Sequence, residues 1–193
     1  VAFKDLKTGA TVTCHAEEPF PTASAYKIYV LAELYRKAYS GECNLNDRYP
    51  LTADIKSIGS GVLEQLDAGL NLTLKDYATL MMIISDNTAT DFLFNFLGRD
   101  KIKKNVIDAL GFSHTKCDWG CQKLIDVYYD MNGRDFQQLW EDNGKRFPSY
   151  HNSKWYQCVT EENDQTAPIE ALKMLELLYR GAWVNQEASE GML

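Results

Sequence analysis

Two consecutive apolar helices, joined by only a few polar residues, limit what this chain can fold into more than any other feature. The first opens at Thr73-Leu74-Lys75-Asp76. This is a capping box, in which a hydroxyl and a carboxylate three residues apart satisfy N–H groups that a helix start leaves open. Tyr77, Leu80, Met81 and Ile84 then recur at the spacing of one helix face. Thr88-Ala89-Thr90-Asp91 reads as a second box, and Phe92, Leu93, Phe96 and Leu97 supply the next stripe. Both stripes need apolar partners, so the pair belongs inside a folded domain. Ser85-Asp86-Asn87 is the connection between them. These are ordinary turn and cap residues, and alone they carry no chemistry.

A second stretch changes the meaning of that link. Ser24 stands three residues before Lys27, at the head of a helix-like run whose face is Ile28, Leu31 and Tyr35. Pro21 lies just ahead of the run and Gly41 supplies its stop. Residues three apart share a helix face, so the hydroxyl and the amine are expected to meet within one turn. Serine is a weak nucleophile until a neighbouring base takes its proton. A lysine beside an apolar stripe loses basicity by desolvation and can be that base. A helix start adds unpaired N–H groups and a dipole that favours developing negative charge. The pairing points to covalent acyl transfer.

The rest of the chain is mostly helical. Asp100 to Leu110 carries Ile102, Val106, Ile107 and Leu110, with Gly111 as terminator. Thr166 to Arg180 carries Ile169, Leu172, Leu175 and Leu178, with Pro168 near its start and Gly181 after its end. Strand-like runs at 1–6 and 10–14 flank Lys7-Thr8-Gly9, which reads as a hairpin turn. Residues 117–163 differ in character, with Trp119, Tyr128, Tyr129, Phe136, Trp140, Phe147, Tyr150, Trp155 and Tyr156 among many charges. A chain of 193 residues with 45% hydrophobic content can bury one sizeable core. Its net charge of −7 argues against a nucleic-acid face. No apolar run reaches the roughly 20 residues that span a bilayer.

Five cysteines leave at least one thiol free or paired outside the sequence. Cys117 and Cys121 could hold a metal only if two more ligands converged, and His15, His114 and His151 are scattered. A disulfide between Cys14 and Cys43, or one within 117–163, is the better expectation. No metal and no organic cofactor are expected.

Together these segments resemble the class A β-lactamases, within the penicillin-recognising serine hydrolases. Phe20-Pro21-Thr22-Ala23-Ser24-Ala25-Tyr26-Lys27 is similar to the nucleophile segment of that family. Gly59-Ser60-Gly61-Val62-Leu63 and Leu72-Thr73-Leu74-Lys75-Asp76 are similar to its approach to the second motif. Ile84 through Asp91, and Gln165-Thr166-Ala167-Pro168, continue the likeness, which covers residues 1–116 and 164–193 in order and spacing.

The resemblance implies an α/β (α+β) fold, a helical domain packed on an antiparallel sheet. The expected layout is a hairpin over 1–19, a helical part over 20–116 and 164–193, and an insertion at 117–163 replacing the omega-loop region. It implies that Ser24 attacks a carbonyl carbon and that Lys27 takes its proton, directly or through water. Ser85 would relay a proton to the leaving group, and Asn87 would bind a substrate amide. Asp86 would be structural, tying down backbone N–H groups, and the Ser24 N–H would supply half of an oxyanion hole. The substrate would be a small amide or ester, β-lactam or peptide-like, and the family location is extracytoplasmic. A D,D-peptidase or esterase of the same superfamily, a non-catalytic penicillin-binding sensor and a serine-lysine glutaminase are the other readings.

Two departures accompany the likeness. The family places K-T-G on a late strand, and the sequence ends at Leu193 before such a strand could occur; Lys7-Thr8-Gly9 is a decoy. The chain is therefore expected to be incomplete, lacking the first helix, the last three strands and the closing helix, with the missing strands supplied by another chain or by residues outside this sequence. The glutamate that activates the deacylating water in class A enzymes would fall near Cys121, and no Glu-Pro-x-Leu-Asn run exists. Glu141, Glu161 and Glu162 are candidate substitutes, more readily read as surface residues.

Overall fold

The apolar stripe after Lys27 becomes α1 (Lys27–Tyr39) in the computed structural model, which describes residues 1–129, 141 and 163–193. Tyr29, Val30, Ala32 and Leu34 are buried, and α1 runs through the middle of the core. It packs against α3 (Asn87–Leu97) and α7 (Gln186–Met192). Trp183, just ahead of α7, donates its indole N–H to the Ala32 carbonyl at 3.0 Å. That bond satisfies a buried ring nitrogen.

The Thr73 capping box forms as the sequence predicts and starts α2 (Leu74–Ile83). Thr73 Oγ1 accepts from the Asp76 N–H at 2.9 Å, and the Asp76 carboxylate accepts from the Thr73 N–H at 2.9 Å. Helices α2 and α3 lie against each other, and the Tyr77 ring stacks on Phe92 at 4.0 Å. The second expected box does not form. Asp86 is the cap of α3, accepting from the Ala89 N–H at 2.9 Å, so the helix has already begun at Asn87. Asp91 is instead turned into the protein, where it accepts from the Ser57 hydroxyl and from the N–H groups of Cys121 and Gln122.

The helix expected over 100–110 is divided into α4 (Arg99–Ile102) and a π-type turn (Lys103–Asp108). Ile102, Val106 and Ile107 are buried all the same. The helix expected from Thr166 begins later, as α6 (Pro168–Tyr179). Proline pushes the residue before it out of helical geometry, and Ala167 is extended at φ −82°, ψ 141°.

The sheets are small and antiparallel. Strands β1 (Ala2–Lys4) and β2 (Thr11–Thr13) form the predicted hairpin, with Phe3 opposite Val12. Lys7-Thr8-Gly9 is its turn, held by the Asp5 carboxylate, which accepts from the Lys7 N–H and the Thr8 hydroxyl, each at 2.8 Å. Two further pairs lie within the helical part. Strand β4 (Arg48–Pro50) pairs with β5 (Asn71–Thr73), and β3 (Phe20–Pro21) pairs with β6 (Gln165–Thr166). Beside the second pair, the Thr22 N–H donates to Asp164 O at 3.0 Å and the Lys116 N–H to Gln165 O at 2.8 Å. Both ends of the 117–163 stretch are thus tied next to the start of the Ser24 turn.

Cys14, Cys43, Cys117 and Cys121 are free thiols, so the expected Cys14–Cys43 link is absent. Cys158 lies outside the described residues. Among the described residues no helix is long and apolar enough to cross a membrane.

Candidate active site

Ser24 does not sit on an α-helix. It lies in a 3₁₀ turn, Ala23–Tyr26, that leads into α1, and it is exposed. Ala23 before it is in the left-handed region at φ 44°, and so is Ser85 at φ 57°. Such a conformation costs a non-glycine residue about 1–3 kcal/mol and persists only where the surroundings enforce it. Two such residues flank one small volume.

The expected contact between Ser24 and Lys27 is indirect. Ser85 Oγ is 2.9 Å from Ser24 Oγ, and Lys27 Nζ is 2.9 Å from Ser85 Oγ, so the chain runs serine, serine, lysine. Lys27 extends to the α2–α3 link instead, where its acceptors lie. Its Nζ also donates to Ser85 O at 2.8 Å and to Asn87 Oδ1 at 3.0 Å.

Lys27 is only 2% exposed. Burial lowers its pKa below the ordinary lysine value, while the neighbouring Cys121, Asp91 and Asp86 pull the other way. Nζ thus donates to three acceptors, Ser85 O, Ser85 Oγ and Asn87 Oδ1, and each of its three N–H groups has one partner in the ammonium form.

Asp86 and Asn87 face the loop containing Gly59-Ser60-Gly61-Val62-Leu63, the segment similar to the family's approach to the second motif. One Asp86 oxygen accepts from the N–H groups of Val62 at 2.7 Å and Leu63 at 2.9 Å. The Asn87 N–H donates to Ser60 O at 2.8 Å, and Asn87 Nδ2 donates to Ile58 O at 2.9 Å. Gly61 has φ +115°, and a Cβ there would land on the Asp86 carboxylate. The glycines therefore permit a close approach that any side chain would block. These contacts leave one Nδ2–H of Asn87 unused.

Cys121 closes the inner side of the group, at the start of α5 (Cys121–Tyr128). It is buried, and the Tyr26 hydroxyl is 3.1 Å from its sulfur. Burial pushes the thiol pKa up to about 11, against the pull of Lys27. The thiol is protonated at neutral pH and cannot act as a carboxylate does. Glu141 is exposed, while Glu161 and Glu162 lie outside the described residues. Asn163 also reaches the site, lining with Ser24, Asn87 and Cys121 one cavity of about 650 Å³. The family spacing had pointed to Cys121, whereas nothing in local sequence pattern marks Asn163, which arrives from a distant part of the chain.

The profile of the Beta-lactamase enzyme family matches residues 1–193. The chain belongs to this family. A β-lactamase from Sphaerobacter thermophilus DSM 20745 superposes with a TM-score of 0.75 and 28% identity over 96% of this chain and 58% of that one. Among curated β-lactamases, L2 of Stenotrophomonas maltophilia is 25% identical over 61% of this chain and 39% of its own length. The structure of PBP-A shares the fold at a TM-score of 0.72, with 19% identity over 98% of this chain and 58% of that one. This β-lactamase-family chain thus spans about two fifths of L2 and under three fifths of these two solved structures.

Proposed function

We propose that this chain carries the nucleophile half of a serine acyl-transferring hydrolase acting on a β-lactam or a similar amide or ester. The observation that carries the reading is the bonded series Ser24 Oγ, Ser85 Oγ, Lys27 Nζ, with 2.9 Å at each step. With Lys27 neutral, the Ser24 proton passes to Ser85 as the Ser85 proton passes to the amine. Ser24 Oγ then bonds the carbonyl carbon, and Ser85 returns a proton to the leaving nitrogen or oxygen. Asn87 offers its unused N–H to a substrate carbonyl, and Asp86 holds the loop that keeps Asn87 in place. The Ser24 N–H supplies one oxyanion donor; one such donor is worth on the order of 10²–10³ in rate.

Release of the acyl group is slow in this reading, because the residue near the family's glutamate position is a protonated thiol. A lasting adduct favours peptidase-, esterase- or sensor-like behaviour over rapid antibiotic turnover.

Intact-mass spectrometry after exposure to penicillin or a small alkyl fluorophosphonate tests both parts. An adduct that is absent from Ser24→Ala and outlasts the incubation is expected. No Ser24-dependent adduct from either reagent sinks the acyl-transfer reading. Glu64 is a carboxylate lining the same cavity. If Glu64→Gln lengthens the lifetime of a short-lived penicillin adduct, Glu64 is the deacylating base and the slow-release part fails.

A further inference from the structure

The thiol beside Lys27 has no part in the acyl-transfer chemistry. Cys121 opens the face of α5 that it shares with Leu124, Ile125 and Tyr128, at i, i+3, i+4 and i+7. All four line the cavity of about 650 Å³ that also reaches Ser24. The sulfur is therefore part of a wall that a small molecule can touch, whereas Cys117 is buried away from that lining. The Tyr26 hydroxyl is 3.1 Å from the sulfur, and the Lys27 amine is a hydrogen-bonding neighbour of the same thiol. A nucleophile beside a base that other groups orient is the general arrangement for covalent chemistry. Here Ser85 O and Asn87 Oδ1 fix the amine, at 2.8 Å and 3.0 Å. Burial pushes the thiol up to about 11, yet a thiol of that acidity gives up its proton more readily than an aliphatic hydroxyl. A base able to serve Ser24 thus serves Cys121 more easily. Burial also pushes the Tyr26 hydroxyl well above its ordinary pKa, so it stays protonated and donates to the sulfur as charge develops there.

A second observation is independent of the thiol. Asn163 lines the same cavity and is 2% exposed, yet its Nδ2 finds no hydrogen-bond partner among the described residues. A buried amide donor left unpaired is unfavourable, and an acceptor oxygen on an occupant relieves it. Glu64, on the same lining, disfavours an anionic occupant. Sulfur is soft and polarizable and prefers a soft electrophilic carbon. An uncharged α,β-unsaturated carbonyl compound offers that carbon together with an oxygen for Asn163.

We infer that Cys121 is a second nucleophile of this cavity, adding to small uncharged α,β-unsaturated carbonyl compounds with Lys27 as base and Asn163 as donor to the carbonyl oxygen. The thiol proton moves to Lys27 Nζ as sulfur bonds the β-carbon of the unsaturated compound. The double-bond electrons move toward the carbonyl, giving an enolate oxygen that Asn163 Nδ2–H holds. The ammonium then protonates the α-carbon, so the net change is addition of S–H across the double bond with no other reactant. This chemistry shares Lys27 with the acyl-transfer reading but does not require that Ser24 be acylated.

Acrylamide is the probe, and peptide-mapping mass spectrometry reads the rate of adduct formation at each cysteine. The exposed Cys14 serves as the reference thiol, and the buried Cys117 reports on the integrity of the fold. Cys121 should be modified while Cys117 stays protected. Lys27→Met should slow the Cys121 reaction by about 100-fold or more and leave the Cys14 rate unchanged, and Asn163→Leu should slow it several-fold. No Cys121 adduct by the time Cys14 is fully labelled overturns the inference. So does an unchanged Cys121 rate in Lys27→Met with Cys117 still protected. If Lys27→Met loosens the fold and exposes Cys117, Asn163→Leu decides: a slower Cys121 reaction supports the inference and an unchanged one overturns it. Ser24→Ala separates this chemistry from acyl transfer. Addition to Cys121 in that variant supports a second nucleophile even if Ser24 never takes an acyl group. Loss of addition there counts against it even if Ser24 is acylated in the wild type.

Discussion

Lys27 illustrates how a single residue can be costly to the fold and central to the chemistry proposed above. Burying an ammonium carries an effective penalty of about several kcal/mol, and three acceptors around Nζ offset only part of it. Lowering the pKa answers the rest, because the neutral form needs no counter-charge. Acylation of Ser24 should therefore rise with pH and level off below the ordinary lysine value of 10.5. Lys27→Met should reduce it by about 100-fold or more, and Lys27→Arg should not rescue it, since a guanidinium does not lose its proton. A pH–rate profile with one fluorophosphonate checks all three proteins. Stability has its own sign: the folded state binds fewer protons than the unfolded one between the lowered pKa and 10.5. Wild type should gain stability relative to Lys27→Met as pH rises through that window, read from denaturant midpoints. Ser24, Lys27, Ser85 and Asn87 were all legible in the sequence, because their motifs are local. The route between them was not, since Ser85 meets Ser24 and Lys27 only where the tertiary fold brings the α2–α3 link against the start of α1.

At the scale of elements, the loop over 57–63 and the Ser85–Asn87 link form one unit. Asp86, 1% exposed, receives the N–H groups of Val62, Leu63 and Ala89. Asp86→Ala should destabilise the protein by about 2–4 kcal/mol, the cost of orphaning buried donors and losing a helix cap. Gly61→Ala should do comparable damage, by a clash with Asp86 and by strain at positive φ. Urea titrations measure both. If Gly61→Ala matches wild type, the loop does not depend on that close approach. The sequence marked α1, α2 and α3 through apolar period and a capping box. It misplaced the cap of α3, because Thr88-Ala89-Thr90-Asp91 and Asp86 offered competing starts and only packing could choose between them. Asp91 was drawn inward to hold Ser57 and the start of α5, a use no local pattern announces.

At the scale of the whole molecule, the two ends of the 117–163 stretch are tied together, Lys116 to Gln165 and Asp118 and Trp119 to Asp164. Asp164 lies at that joint, fully buried, with Oδ1 accepting from the N–H of Asp118 at 2.8 Å and of Trp119 at 3.2 Å. Its Oδ2 has no partner among the described residues, and burial pushes the carboxyl pKa up to about 7. The folded state then binds more protons than the unfolded one between about 3.8 and 7, so stability falls as pH rises through that range. Asp164→Asn retains an oxygen for the two N–H groups and carries no charge. It should be more stable than wild type at pH 8 by a margin of order 1 kcal/mol or more, with the difference shrinking toward pH 4. Thermal melts at the two pH values check this, and a pH-independent difference would show that Asp164 is ionised or relieved by other groups.

The sequence by itself determined α1, α2, α3 and the first hairpin and singled out Ser24 and Lys27, because period, caps and motif spacing are local properties of the chain. Tertiary structure alone decided that Ser85 stands between Ser24 and Lys27, that a thiol lies beside the amine, and that one face of α5 borders the same cavity as Asn163. Those relations depend on segments far apart in sequence brought together by burial, and burial depends on the whole fold rather than on any window of residues.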